Sequence, residues 1–316
     1  MKHSWRWSVP KKAYLGQLSD IDMRLLRVFR AVVEAGGLSA AELELNIGRS
    51  TISRHLKDLE ARLKTTLCYR GRGGFSLTVE GQTVYDATLY LFNALEQFRG
   101  TVNDMHQQMR GNISIALFDK VVTNPECKID LALQAFDDIA PDVTLDVYVE
   151  TLNGIEKGVM DGRFQVGVIP MHRASQSLKY FPLFDELVHL YCGYHHPMFS
   201  TPDITITDAQ IFGEKYAGLG YHSPNMDTSN RLKMVRHATG YDQEAIAALI
   251  LSGRYLGYLP DHYAEPFIKQ GRIGLVGKGR FSYDCAFSAI VRRAPKPSQI
   301  VEAFLNCLVN AHAPNA

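Results

Sequence analysis

Along the first third of the chain, apolar positions recur at helical intervals. Leu25, Leu26, Val28, Phe29, Val32 and Val33 fall on one side of a helix that starts near Met23 and stops at Gly36-Gly37. Ser39 is placed to cap a short second helix through Leu45, after which Asn46-Ile47-Gly48 supplies a tight turn. A third helix begins near Ser50. In it Ile52, Leu56, Leu59 and Leu63, spaced by four, three and four residues, form one narrow stripe facing a core. On the other side lie Ser50, Arg54 and Lys57, flanked by Arg49, Thr51 and Ser53. The run from Tyr69 to Phe75 then reads as a hairpin whose glycines permit positive φ, and it carries Arg70 and Arg72.

From Thr78, an N-cap with Glu80 in the first turn, no proline occurs until Pro125, so a long helix runs to about Arg110. Val84, Leu91, Phe98 and Met105 recur every seven residues within it, interleaved with Thr88, Leu95, Val102 and Met109. That is the seam of a coiled coil, although the same seam also suits packing on the helix's own domain. Gly111-Asn112 ends the run. Beyond it the period changes: Ile113 to Phe118 is a strand, a helix follows to about Ile139, and Val143, Leu145, Val147 and Val149 alternate as the next strand. A helix to Met160, a stop at Gly162 and the strand Val166 to Ile169 complete three parallel strands, so the body is α/β. A second lobe begins near Leu183, with Leu187 to Cys192 as a strand, a helix from Glu244 to Leu251 and an apolar run from Tyr255 to Leu259. The strand Ala286 to Val291 returns the chain to the first lobe.

Charge sharpens this division. Residues 1 to 72 hold 14 Lys or Arg against 7 Asp or Glu, a net of +7, while the remainder holds 20 against 26, a net of −6. A basic head on an acidic body fits phosphate neutralisation by the head, and a solvated surface gives the same sums. The hydroxyls and cations of the third helix are groups that read base edges and phosphates in a major groove; an ordinary amphipathic surface helix carries the same pattern. No segment approaches the roughly 18 apolar residues of a membrane span, and the first residues lack the apolar core of a signal peptide, so a cytoplasmic location and no membrane partner are expected. The five cysteines are scattered without framework spacing. His195-His196 with Glu186 lacks a third ligand at sensible spacing, so neither a metal nor another cofactor is expected. Cys127, beside the first loop of the body, is read as an incidental thiol, with redox sensing as the alternative.

The segment from Leu25 to Gly81 resembles the winged helix-turn-helix of the LysR-type transcriptional regulators. The match runs through Phe29, Val32, Glu34, Gly37, Ser39, Ala41, Leu45, Asn46, Ser53, Leu59, Glu60, Leu63, Leu67, Arg70, Leu77, Thr78 and Gly81. Three positions depart from the pattern: Glu42 stands where an alanine is usual, Lys64 where a glycine is common, and Cys68 where a phenylalanine is usual. The resemblance implies a division into an N-terminal extension (1–20), an all-α winged helix-turn-helix DNA-binding domain (21–79), a linker and dimerisation helix (80–110) and a two-lobed, periplasmic-binding-protein-like effector domain (111–316). It implies DNA contacts by Arg49, Ser50, Thr51, Ser53, Arg54, Lys57, Arg70 and Arg72, and a homodimer or homotetramer joined through Val84, Leu91, Leu95, Phe98, Val102 and Met105. Such a dimer reads an interrupted inverted repeat in double-stranded promoter DNA, with RNA polymerase as a further partner.

A small-molecule effector is expected between the lobes, at the ends of strands and near helix N-termini, where free N–H groups favour an anion. The residues falling there are Asp119, Thr123, Asn124, Thr151, Asn153, Tyr221, His222 and Tyr241. Each also suits a turn or a helix cap. The competing class, an α/β enzyme or binding protein with a nonspecific basic head, meets no Gly-x-Ser-x-Gly, phosphate-loop or His-Glu-x-x-His motif in the chain.

Arg72 at the hairpin tip is expected to contact phosphate or the minor groove. Arg72→Ala then lowers DNA affinity and makes the slope of log affinity against log salt shallower by about one. Unchanged affinity and slope would make it a solvated turn arginine.

Overall fold

The computed structural model describes residues 16–71, 74–105, 109–200, 207–221, 223–277 and 280–313. Arg72, His222 and most of the N-terminal extension lie outside them. Two compact units are present, divided between Asn93 and Ala94. The first holds α1 (Asp20–Glu34), α2 (Leu38–Leu45), α3 (Arg49–Leu63), the hairpin β1 (Cys68–Gly71) and β2 (Gly74–Leu77), and the start of α4 (Val79–Met105).

The stripes read from the sequence form its core. Phe29 and Val32 of α1 meet Ile52 and Leu56 of α3, all fully buried, with Ala41 of α2 beside them. Ser39 does not cap α2; Gly37 holds the cap position at φ 155° and Ser39 lies inside the helix. The turn between α2 and α3 uses Asn46 at φ 50°. Lys64 ends α3 at φ 54°, the left-handed conformation that glycine adopts without strain and lysine does not. Glu42, the departure from alanine, accepts a hydrogen bond from the Arg49 backbone N–H and so caps α3, whose own cap residue Gly48 has no side chain to offer. Gly81 sits where a Cβ would lie 1.8 Å from the Leu67 carbonyl oxygen, so the backbone of α4 approaches the hairpin strand as only glycine allows.

In the second unit the chain runs β3 (Gly111–Leu117), α5 (Ile129–Ile139), β4 (Val143–Val149), α6 (Leu152–Met160), β5 (Val166–Pro170), β6 (Leu178–Gly193), α7 (Asp208–Gly213), β7 (Tyr216–Leu219) and α8 (Pro224–Arg231). It continues through β8 (Arg236–Gly240), α9 (Gln243–Leu251), β9 (Leu256–Pro260), α10 (Asp261–Lys269), β10 (Ile273–Leu275), β11 (Tyr283–Arg292) and α11 (Gln299–Ala311). The strands form one sheet in the order β4-β3-β5-β11-β6-β9-β7-β8, with β10 paired to β6. β3, β4 and β5 are parallel, as the alternating pattern indicates. Every residue of β5 is buried because helices cover both faces of the sheet there.

The expected strand Leu187 to Cys192 is the end of a 16-residue strand. Its first half pairs antiparallel with β11 beside the first lobe, and its second half pairs with β9 and β10 in the second lobe. β6 and β11 are therefore the two crossings between the lobes. Among the described residues no helix is long and apolar enough to cross a membrane.

The coiled-coil seam of α4 divides. Val84 and Leu91 are half-buried against the core of the first unit, with Thr88 fully inside, so this half of the seam packs on the helix's own domain. Leu95, Phe98 and Val102 stay exposed, Phe98 by 67%. The side chain of Met105 lies outside the described set.

Asp22 joins the ends of α1 and α3. Its carboxylate accepts from the Ser19 backbone N–H at 2.8 Å and from Arg62 Nη2 at 2.9 Å, while Ser19 caps the helix in return. These bonds, led by those from Ser19, lower its pKa from the ordinary 3.8 to about 2. A lowered carboxyl pKa stabilises the fold above the unfolded value, and that stability disappears as pH falls from about 4 to 2. Asp22→Asn should cost the first unit about 1.5–3 kcal/mol at neutral pH and remove this acid-dependent loss, both measurable by thermal unfolding across pH.

Candidate DNA interface and effector cleft

On α3, burial of Ile52, Leu56 and Leu59 turns the opposite face outward. Arg49, Ser50, Arg54 and Lys57 are exposed, and Thr51 and Ser53 half-exposed, all between the first and ninth positions of the helix. Neighbouring His55 is kept neutral by burial first and by the charges of Arg24 and Arg54 second, so it adds no cation to this face. Arg70 does not join the set. Its guanidinium pairs with Glu60, donates to Cys68 Sγ at 3.1 Å and reaches the Ser53 carbonyl, and it is largely covered. Glu60 also accepts from the Leu67 backbone N–H at 2.9 Å. The Glu60–Arg70 pair thus fixes the hairpin to the end of α3.

In the second unit the loop after β3 reaches across to the second lobe. Asp119 Oδ2 accepts from the Gln243 backbone N–H at 2.6 Å, which places a first-lobe carboxylate on the N-terminus of α9. Lys120, at φ 62°, lies 3.1 Å from Glu244 and 3.8 Å from Asp119, and over the Tyr263 ring. Burial raises the Asp119 pKa against the hydrogen bond from Gln243. Tyr221 is buried beside them; its hydroxyl is pushed up by burial and then by the charges of Asp119 and Asp242. Tyr241 stands exposed next to Gly220, where a Cβ would come within 2.6 Å of its ring.

The same loop makes a second set of contacts further along. Thr123 Oγ1 is 2.8 Å from His262 Nδ1, and His262 Nε2 is 3.0 Å from the buried Glu186. Asn124 Nδ2 donates to the Asp185 carbonyl at 3.1 Å. Thr151 caps α6, accepting from the Gly154 N–H at 3.3 Å, and Asn153 is exposed on the first turn of that helix. The structure therefore joins Asp119 and Tyr221 to the start of α9, and Thr123 and Asn124 to α10 and β6. Thr151 and Asn153 stand apart at the head of α6.

The residues that complete these contacts were not singled out in the sequence: Gln243, His262, Tyr263 and the pairing role of Glu186. Asp242 and Glu244 mark a helix start, but nothing local reveals that Asp119 meets it from 124 positions away. Among the described residues no group of three or more His, Cys, Asp or Glu is arranged to hold a metal ion. His196 is buried, accepting from the Met198 N–H at 3.2 Å, and burial raises the Cys127 thiol above its ordinary value, away from a reactive thiolate.

Comparison with known proteins follows the same division. The bacterial regulatory helix-turn-helix protein, lysR family, matches residues 23–82, and the LysR substrate binding domain matches residues 106–313. The chain is 40% identical over 294 residues to the HTH-type transcriptional activator BauR of Pseudomonas aeruginosa, covering 93% of this chain and 96% of that protein. It is 22% identical over 288 residues to the HTH-type transcriptional regulator CysL of Bacillus subtilis, covering 90% and 95%. In fold it is similar to CbnR, a LysR family transcriptional regulator, with a TM-score of 0.63 at 20% identity over 92% of this chain and 99% of that one. It is also similar to full-length CbnR complexed with its target DNA, with a TM-score of 0.60 at 21% identity and the same coverage. The chain belongs to the LysR family: it is a DNA-binding transcriptional regulator with an N-terminal helix-turn-helix and a C-terminal, two-lobed effector-binding domain.

Proposed function

We propose that this regulator is an activator that binds an interrupted inverted repeat as a homo-oligomer and responds to a small anionic molecule held between its lobes. The activator reading rests on the 40% identical relative, which carries that description. Functionally the chain divides into a DNA-binding domain (21–79), a linker helix (80–110) and the effector domain (111–316), with the exposed Leu95, Phe98 and Val102 of α4 joining two copies. Arg49, Ser50, Thr51, Ser53, Arg54 and Lys57 form the reading face, positioned by the Glu42 cap at the head of α3.

The observation that carries the sensing half is the Asp119 carboxylate on the α9 N-terminus. An anion-attracting helix end in the second lobe is already filled by the chain's own acid. The effector's anion then belongs at the other helix end, the first turn of α6, where Thr151 satisfies Gly154 and Asn153 is exposed. The Asp119–Gln243 bond is the contact that lobe movement has to keep or break, and through it a bound molecule shifts the population of lobe arrangements. The effector is bound and released unchanged.

Selection of fragmented genomic DNA on the purified protein should enrich an interrupted inverted repeat. Against that site Arg54→Ala should cost about 1–3 kcal/mol and relax specificity at the contacted base pairs. An equal loss on every sequence would make Arg54 a phosphate contact. For the sensing half, Asp119→Asn should speed hydrogen exchange of the first-turn amides of α9 about tenfold, because a charge-assisted bond across the lobes becomes a neutral one. Exchange identical to the wild type would mean that this bond does not hold the lobes together.

A further inference from the structure

Besides Asp119, the loop after β3 has a second anchor on the second lobe, made through Thr123, His262 and Glu186. The groups stand in a row. The Lys120 carbonyl lies 2.8 Å from Thr123 Oγ1, Oγ1 lies 2.8 Å from His262 Nδ1, and His262 Nε2 lies 3.0 Å from Glu186 Oε2. This row runs from the first loop to α10 and ends on β6, the strand shared by the two lobes. The His262 and Glu186 side chains are each 5% exposed, so bulk water is kept from both.

Each contact in the row is a hydrogen bond only if a proton lies in the gap. Three gaps need three protons. A carbonyl only accepts, so the Thr123 hydroxyl gives its proton to Lys120, and Oγ1 then accepts from Nδ1–H of His262. A neutral imidazole has one N–H, so with Nδ1 protonated its Nε2 is a bare lone pair facing a carboxylate. The last gap is therefore closed by a further proton, either on Nε2 as imidazolium or on Oε2 as carboxylic acid. Threonine and neutral imidazole supply two protons between them, and the row holds one more.

We propose that this row is a proton-held clasp: at neutral pH it keeps one proton beyond those of a neutral imidazole and an ionised carboxylate, and that proton fastens the first loop to α10. The surroundings favour retention. Burial raises the Glu186 carboxyl above its ordinary value against the hydrogen bond and charge of His262, and the charges of Asp261 on α10 and Asp119 on the loop add to the rise. Asp185 precedes Glu186 on β6, and Glu126, His189, Glu265 and Asp284 border the same groove as the pair. Cys285, the cross-strand partner of Glu186 on β11, is pushed up by burial and then by the charges of Glu186 and Asp185, so it stays a thiol. The loop's own cation, Lys120, is taken by Glu244 and Asp119. A proton held more tightly in the fold than in the unfolded chain adds stability that is complete below about pH 6.5, where an unfolded histidine is charged as well. That stability is lost as pH rises through the point of release, where one of the three contacts becomes lone pair against lone pair and opens. The proton thus acts as a second ligand of the sensor, favouring the joined arrangement of loop and α10. This holds whether or not an anion binds at α6, because only the chain's own groups take part.

Glu186→Gln supplies the extra proton permanently, because its amide N–H donates to Nε2 whatever the pH. In the full-length wild type, hydrogen exchange at the Thr123 and Asn124 amides, corrected for the intrinsic rise of exchange with pH, should speed about tenfold between about pH 7 and about pH 9.5. In Glu186→Gln the corrected rates should stay level over the same range. Thr123→Val, which has no hydroxyl to offer, should exchange fast at Asn124 at both pH values. Independently, the imidazole nitrogen-15 spectrum of the wild type, with His262 assigned by its loss in His262→Gln, should show Nδ1 carrying a proton at neutral pH. If Glu186→Gln does not fold, that spectrum and the wild-type exchange decide. The proposal is overturned if Nδ1 carries a lone pair at neutral pH, if wild-type protection does not change over this range, or if wild type and Glu186→Gln lose it equally.

Discussion

The antiparallel pairing of β6 with β11 is the constraint on which the sensor is built. A ladder links Leu178–Arg292 at one end to Val188–Tyr283 at the other, with one irregularity between Phe287 and Ser288. Both lobes hang their remaining strands on this ribbon, so neither moves without twisting a shared backbone. Movement of one lobe relative to the other therefore acts through this ribbon, and the Asp119 contact on α9 spans the two lobes.

In the DNA-binding unit, carboxylates do a comparable job at a smaller scale. Asp22 ties α1 to α3, Glu42 caps α3 from α2, and Glu60 fixes the hairpin through Arg70 and two backbone amides. Each acid is spent on backbone amides or on a neighbouring arginine. The outward cations on α3 are left facing solvent, which is how a domain with several acids presents a basic surface.

Much of this was legible in the sequence wherever one local period dominates. The apolar stripes of α1 and α3 and the alternation in β4 identified those elements because a single buried face dictates the spacing. β6 was seen only in part, since Pro182 and alternating polar residues interrupt its apolar signal although both halves pair. β8, Arg-His-Ala-Thr-Gly, has no apolar pattern and is set by its place beside β7, while α10 contains Pro266. The site was readable as a list of loop ends. It was not readable as contacts, because Asp119 meets Gln243, and Thr123 meets His262, across more than a hundred residues of chain. Arg70 is a further case: nothing local in the hairpin reveals that its guanidinium pairs with Glu60 of α3.

The strand order also governs how the protein emerges during synthesis. β5 is flanked by β3 on one side and β11 on the other, so the whole second lobe is translated between β5 and its second neighbour. At about 5–20 residues per second that interval lasts on the order of ten seconds, during which an apolar strand edge in the first lobe has no partner. The nascent first lobe is thus a half-built sheet until β11 has been made.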